Sequence, residues 1–232
     1  MAGLMSSMGV LVFPDATVGD FAVNVLTVLI LYGPAYLANT GAMLFGKWIP
    51  DKIGFDNHKI DGGRIHSDGN RLLGDGKSWE GLFGGGVFSG ILVMIAHYIW
   101  DGNAPPSDRL FIDPLLISDS SDWFWIGNEW VAAFVLGFTL GFSCMLGDMT
   151  GSYLKRRQGL KREGEVSSKA PLLDTLPFAI FIFLAAAIFF NEQVMMHPNL
   201  TSPIIAIIVL TPIIHRSFNI LGYRLGLKSV PY

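Results

Sequence analysis

The sequence predicts an all-α membrane protein with five transmembrane helices. Three observations predict it. Of the 232 residues, 51% are hydrophobic and only 15% are charged, against about 25% charged in soluble domains. The chain carries five long apolar runs free of Asp, Glu, Lys and Arg. All the basic residues but Arg109 also lie in two of the four segments between those runs, and in the tail.

The first run, Phe21 to Phe45, is 25 residues long, and a helix needs about 20 to cross the hydrocarbon core. The second run extends from Gly81 to Trp100 and the third from Trp130 to Gly147. The fourth, Leu176 to Phe190, is short unless it begins near Leu172. The fifth starts at Leu200 and reaches Ile214. Asn191-Glu192-Gln193 and His197-Pro198-Asn199 break the last two into separate spans. The expected spans are therefore about 21–45, 81–100, 130–152, 172–190 and 200–222, in a single membrane domain over 1–232. The connecting loops expected to carry function are 46–80 and 153–171.

Six Lys/Arg lie between Gly46 and Glu80, and six more between Asp148 and Thr175; Arg216, Arg224 and Lys228 follow. The remaining side has only Arg109. Positive residues stay cytoplasmic, so the N-terminus is expected outside, the C-terminus cytoplasmic, and both basic loops on the cytoplasmic face of a cell membrane. Trp100, Trp123, Trp125 and Trp130 would form an outer aromatic belt. The outer loop, 101–129, reads as an extended, solvated connection without chemistry, and His97 as an interfacial residue. No cleavable signal peptide is expected. Cys144, the single cysteine, sits in an apolar run and reads as a packed thiol. A net charge of −3 argues against a nucleic-acid partner. The sequence sets no oligomeric state.

Chemistry is expected on the two basic loops. Residues 61–86 are dense in Gly, Asp and basic side chains. Glycine lets a backbone come close to a ligand, and N–H groups with Lys can cradle phosphates. Gly74-Asp75-Gly76-Lys77-Ser78 looks like the end of a P-loop but lacks the upstream Gly spacing and the strand-to-helix context. A flexible, turn-rich linker is the plainer alternative. In the second loop, Asp148 ends one span and Asp174 begins the next, bracketing Lys155, Arg156, Arg157 and Lys161. Aspartates at membrane depth are costly and tend to be functional. Two of them at facing helix ends can hold a divalent cation against substrate phosphates. Ser152 and Lys155 follow Asp148 at i+4 and i+7. The Lys-Arg-Arg run is also an ordinary topology signal or a lipid-headgroup site. In the first span, Pro34 frees a carbonyl, and Asn39 could bond either a ligand or another helix.

Ser152-x-Leu154-Lys155-Arg156-x4-Lys161, with Gly147-Asp148 before it and Asp174 after it, resembles the signature of the CDP-diacylglycerol synthase family of phosphatidate cytidylyltransferases. Pro34-Ala-Tyr-Leu-Ala-Asn39 and Gly74-Asp75-Gly76-Lys77-Ser78-Trp79-x-Gly81 look like its archaeal branch, CDP-archaeol synthase. Arg162 after Lys161, and Ser167-Ser-Lys-Ala-Pro before Asp174, depart from the bacterial pattern and favour that branch. The resemblance implies a pyrophosphate-releasing transfer from CTP to 2,3-bis-(geranylgeranyl)glycerol 1-phosphate (unsaturated archaetidic acid), giving CDP-archaeol, with one or two Mg²⁺. Asp148 and Asp174 would bind metal, with Lys155 and Arg156 joining them at the reacting phosphates. Arg64, Asp68, Asn70, Asp75, Lys77, Ser152, Arg157, Lys161 and Asn39 would bind nucleotide or phosphate. The alternatives are action on ester phosphatidate, a polyprenol or lipid kinase, or a small transporter. The transporter predicts ionisable residues mid-span, and the apolar runs have none among Asp, Glu, Lys and Arg.

Overall fold

The computed structural model describes residues 17–103, 110–160, 170 and 172–224. Among them the chain is helical, with only two isolated bridges of strand type, Lys59 with Ser78 and Ile65 with Arg71. Four helices are long and apolar enough to cross a membrane. The chain is thus a multi-pass membrane protein.

Helix α1 (Val18–Tyr36) starts where the Thr17 hydroxyl caps the Asp20 N–H at 3.1 Å. It contains Pro34, and a short α2 (Ala38–Met43) continues from it. A widened π turn, Leu44–Trp48, and α3 (Ile49–Ile53) then carry the path on, so one helical run extends from Val18 to Ile53. The π turn lies beside the cavity described below, a common setting for such turns. Helix α4 (Trp79–Trp100) is capped by Ser78, whose Oγ accepts from the Gly81 N–H at 3.1 Å. Helix α5 (Glu129–Arg157) is capped by Asn128 and ends on Lys155, Arg156 and Arg157. Positive side chains suit the negative end of a helix dipole. Helix α6 (Leu176–Phe189) has 14 residues, too few to cross unaided; Leu172–Thr175 form turns rather than extending it. Helix α7 (Thr201–Arg224) closes the chain.

Small residues let these helices touch. A methyl at Gly137 of α5 would lie 2.6 Å from the Val93 side chain and 2.7 Å from the Ser89 carbonyl of α4. Another at Gly147 would meet three backbone atoms of α6, Pro177 O and Phe178 Cα and N, at 2.5–2.8 Å. The buried Tyr32 hydroxyl donates to Met195 O at 3.1 Å, and Tyr36 shares a 3.0 Å hydrogen bond with Thr211 of α7.

The loop after α4 departs from expectation. It is not an extended, solvated connection: Ile112, Leu115 and Phe124 are buried in the core, and Trp123 donates to Phe189 O at 2.7 Å. Enough apolar side chains return to that end to cover it. His97 is likewise not interfacial. It is buried, with Nδ1 2.8 Å from the buried Asp113 carboxylate.

Candidate active site

The functional end of the bundle is built where α2, the π turn, the start of α4 and the end of α5 converge. They enclose a cavity of about 340 Å³. Asn39, Asp75, Lys77 and Asp148 line it, together with Lys47, Asn57, Lys59 and Ser78. Four of the residues singled out from sequence therefore share one wall-to-wall space, although they span more than a hundred positions of chain.

The loop between α3 and α4 is folded, not a flexible linker. Ile60 N–H donates to Lys77 O and Trp79 N–H to His58 O, both at 3.0 Å, so its two ends run side by side. Its tip is a second turn, with Leu72 N–H on Arg64 O at 3.1 Å and His66 N–H on Asn70 O at 2.8 Å. Lys77 emerges from this loop and ion-pairs with Asp148 of α5. Gly74 adopts φ +104°, a conformation side-chain-bearing residues rarely take, and the Arg156 guanidinium lies against it. Arg157 joins the loop to α5 at two points. It donates to Asp68 at 2.7 Å and to the Arg71 carbonyl at 2.9 Å.

Charge in this loop is closely matched. Arg71 donates to Asp61 and to Asp75, each at 2.8 Å, and Lys59 reaches the same Asp75 oxygen at 2.6 Å. Burial alone would raise the Asp61 carboxyl. Donation from Arg71 and from the N–H groups of Leu73, Gly63 and Gly74 outweighs it and holds the group well below the carboxylate range. Lys59 and then Arg71 lower Asp75, and the Asn70 N–H lowers Asp68.

The second carboxylate of the expected pair, Asp174, ion-pairs with Lys155. Each aspartate thus has its own lysine: Asp148 takes one from the first loop, Asp174 one from α5. The backbones carrying them are tightly apposed, since Gly147 packs on Pro177 and Phe178, and Gly151 on the Leu173 carbonyl. Carboxylate oxygens are the hard ligand type that Mg²⁺ takes together with phosphate, and both of these carboxylates are engaged by a lysine. Asp174 and Lys155 stand outside the cavity lining, and Ser152 is buried within the helix contacts. Arg64 is exposed, and its backbone forms part of the loop turn. Asn70 sits in the same turn through its N–H to Asp68 at 3.0 Å. Lys161 lies outside the described residues.

Sequence reasoning missed Asp61, Lys59, Asn57 and Lys47. Asp61-Gly-Gly carries the signal of an Asx turn, and the Gly63 N–H indeed donates to Asp61 at 3.0 Å. Nothing local marks the other three as cavity residues. At the far end, His97, Asp101 and Asp113 bring ligand-type atoms within 4.8 Å of one another. The Asp113 oxygens, however, already accept from Leu115 and Gly102 N–H at 3.0 and 3.3 Å, so the group acts as a clamp on the loop.

A CarS-like family model, CDP-archaeol synthase, matches residues 21–232. The chain belongs to the CDP-archaeol synthase family. A CDP-archaeol synthase of Picrophilus torridus is 37% identical over 218 residues, covering 90% of this chain and all of that protein. Those of Methanospirillum hungatei and Thermococcus kodakarensis are each 38% identical over 200 residues, covering 86% of this chain and 99% and 91% of theirs. A solved structure, described as an intramembrane enzyme for archaeal membrane lipids biosynthesis, shares the fold with a TM-score of 0.54. It is 24% identical and covers 83% of this chain and 92% of that one. The CDP-archaeol synthase match takes in both basic loops and every residue that lines the cavity.

Proposed function

We propose that this chain is a CTP-dependent cytidylyltransferase acting on 2,3-bis-(geranylgeranyl)glycerol 1-phosphate. The products are CDP-archaeol and pyrophosphate. The observation that carries the reading is the convergence of Lys77, Asp148, Asp75 and Asn39 on one cavity, in a chain whose relatives are CDP-archaeol synthases.

In the reaction an oxygen of the lipid phosphate attacks the α-phosphorus of CTP, and the bond to pyrophosphate breaks. The protein's task is positioning and neutralisation. Lys77, on the loop wall, and Arg156, which lies against that wall, would hold phosphate oxygens. Lys155 and Arg157, with Lys161, would take the leaving pyrophosphate. Asn39, Asp68, Asn70 and Arg64 would orient the nucleoside, and Ser152 would support the helix end beside them. Asp148 and Asp174 would hold Mg²⁺, which when bound neutralises triphosphate charge. The lysines now on those carboxylates would then turn to phosphate. The distribution of Lys and Arg along the chain supports five spans, with the N-terminus outside and the site cytoplasmic. In that layout α6 crosses with the help of its flanking turns, and the lipid tails stay in the bilayer.

The test is transfer of label from α-³²P-CTP to the ether lipid phosphate in detergent with Mg²⁺. Label in the lipid as CMP supports the reading. γ-³²P-label reaching the lipid instead makes the protein a lipid kinase, and no transfer of either kind ends the reading. Asp148→Asn and Asp174→Asn should each lower the rate by about 10²–10³; near wild-type rates in both would remove their role.

A further inference from the structure

The Asp61 side chain is fully buried, yet it carries a charge. Its two oxygens accept four donors. Oδ1 takes Arg71 Nη2 at 2.8 Å and Gly63 N–H at 3.0 Å. Oδ2 takes Leu73 and Gly74 N–H at 3.1 and 3.2 Å. A buried carboxylate is costly unless all its lone pairs are used, and here they are. These four donors are the points at which the loop reverses. Asp61 precedes the tip, Arg71 follows it, and Leu73-Gly74 lead back towards the membrane. Lys77 comes three residues later.

Asp61 does not line the cavity, so it cannot contact a nucleotide there. Its influence runs through two routes. Gly74, held by its own N–H, is the residue against which the Arg156 guanidinium lies. Arg71, held by its guanidinium, presents the carbonyl that Arg157 grips. Both routes end on the basic row of α5, and the same stretch delivers Lys77 to Asp148. We propose that Asp61 is the positioning residue of the site. One buried negative charge sets the loop wall, and through Arg71, Leu73 and Gly74 it fixes where Lys77 and the α5 cations stand. The role rests on the cytidylyltransferase reading only for what the fixed wall binds; the placement of Lys77 is independent of it.

Asp61→Asn keeps the size of the side chain but withdraws its charge from Arg71 and turns one acceptor into a donor facing N–H groups. Two readouts test the proposal on the full chain in detergent. The first is acetylation of lysines followed by mass spectrometry, which needs no nucleotide. Lys77, one-fifth exposed beside Asp148, should label several-fold faster in Asp61→Asn, while Lys52 stays unchanged. The second is the kinetic split: KM for CTP should rise about tenfold or more, while KM for the lipid phosphate moves less than threefold. Arg71→Lys, which retains a cation for Asp61, should change both readouts in the same direction but less. Unchanged Lys77 labelling in Asp61→Asn overturns the proposal. So does a uniform rise in labelling of all lysines with both KM values worsening together, since that is general loosening. Faster Lys77 labelling in a protein whose wild type transfers no nucleotide upholds the placement and removes the cytidylyltransferase reading instead.

Discussion

Gly147→Ala tests whether the site depends on the contact between α5 and α6. The added methyl would stand 2.5 Å from Pro177 O, 2.6 Å from Phe178 Cα and 2.8 Å from Phe178 N. All three are backbone atoms, so no rotamer change relieves them. Ordinary contact begins at 3.4 Å, so the helices must part by about 0.9 Å at this point (3.4 less 2.5). Overpacking of this kind costs about 1–3 kcal/mol. The functional cost is larger in proportion. Asp148 is the next residue, and a displacement of about 1 Å in a catalytic arrangement can cost 10²-fold in rate. The expected outcome is a CMP-transfer rate lowered about 10- to 100-fold with a folded, somewhat less stable protein. Initial rates and a thermal melt of detergent-purified protein measure both. Gly33→Ala serves as the control, because a methyl there meets nothing within 4 Å. A Gly147→Ala protein with wild-type rate and melting point would refute the close-contact argument.

Other expectations follow from the same geometry. Asp113→Ala strips acceptors from Leu115 and Gly102 N–H and leaves His97 without its carboxylate. Orphaning such buried groups costs about 1–3 kcal/mol each, so the melting point should fall while KM for CTP stays unchanged, the clamp lying roughly 30 Å along α4 from Ser78. The first-loop carboxylates should also set an acid limit on stability. Asp61 titrates below its unfolded value near 3.9. A depressed carboxylate contributes fully above its unfolded pKa, and the contribution is lost as pH falls through the folded value. The melting-point gap between wild type and Asp61→Asn should therefore hold from pH 7 to pH 5 and narrow only below about pH 4. A gap closing near pH 6 would mean that another group supplies it.

The helices were legible because uncharged runs of bilayer length have few other fates, and their ends fell where Ser78 and Asn128 can cap. Period and charge could not show the π turn at Leu44–Trp48, since it arises from packing beside Gly81 and Ser78. They could not show the cap formed by the loop after α4 either, where single apolar residues such as Ile112 and Phe124 are scattered among polar ones. In the site, Asp148 and Lys77 stood out by their chemistry and their places at helix ends. Their pairing did not, because it joins positions 71 residues apart. Asp61 was passed over for a related reason: three of its four partners are backbone N–H groups, which every sequence supplies equally.

Helix α5 has 29 residues. At 1.5 Å per residue it is about 44 Å long, against a hydrocarbon thickness near 30 Å. An upright helix of this length leaves about 14 Å clear of the oil, shared between its two ends, and Lys155, Arg156 and Arg157 occupy one of those ends. In the proposed reaction a lipid floating in the leaflet would bring its phosphate to that height without being lifted. Recognition would then work like a gauge set at the waterline, reading where the headgroup rides.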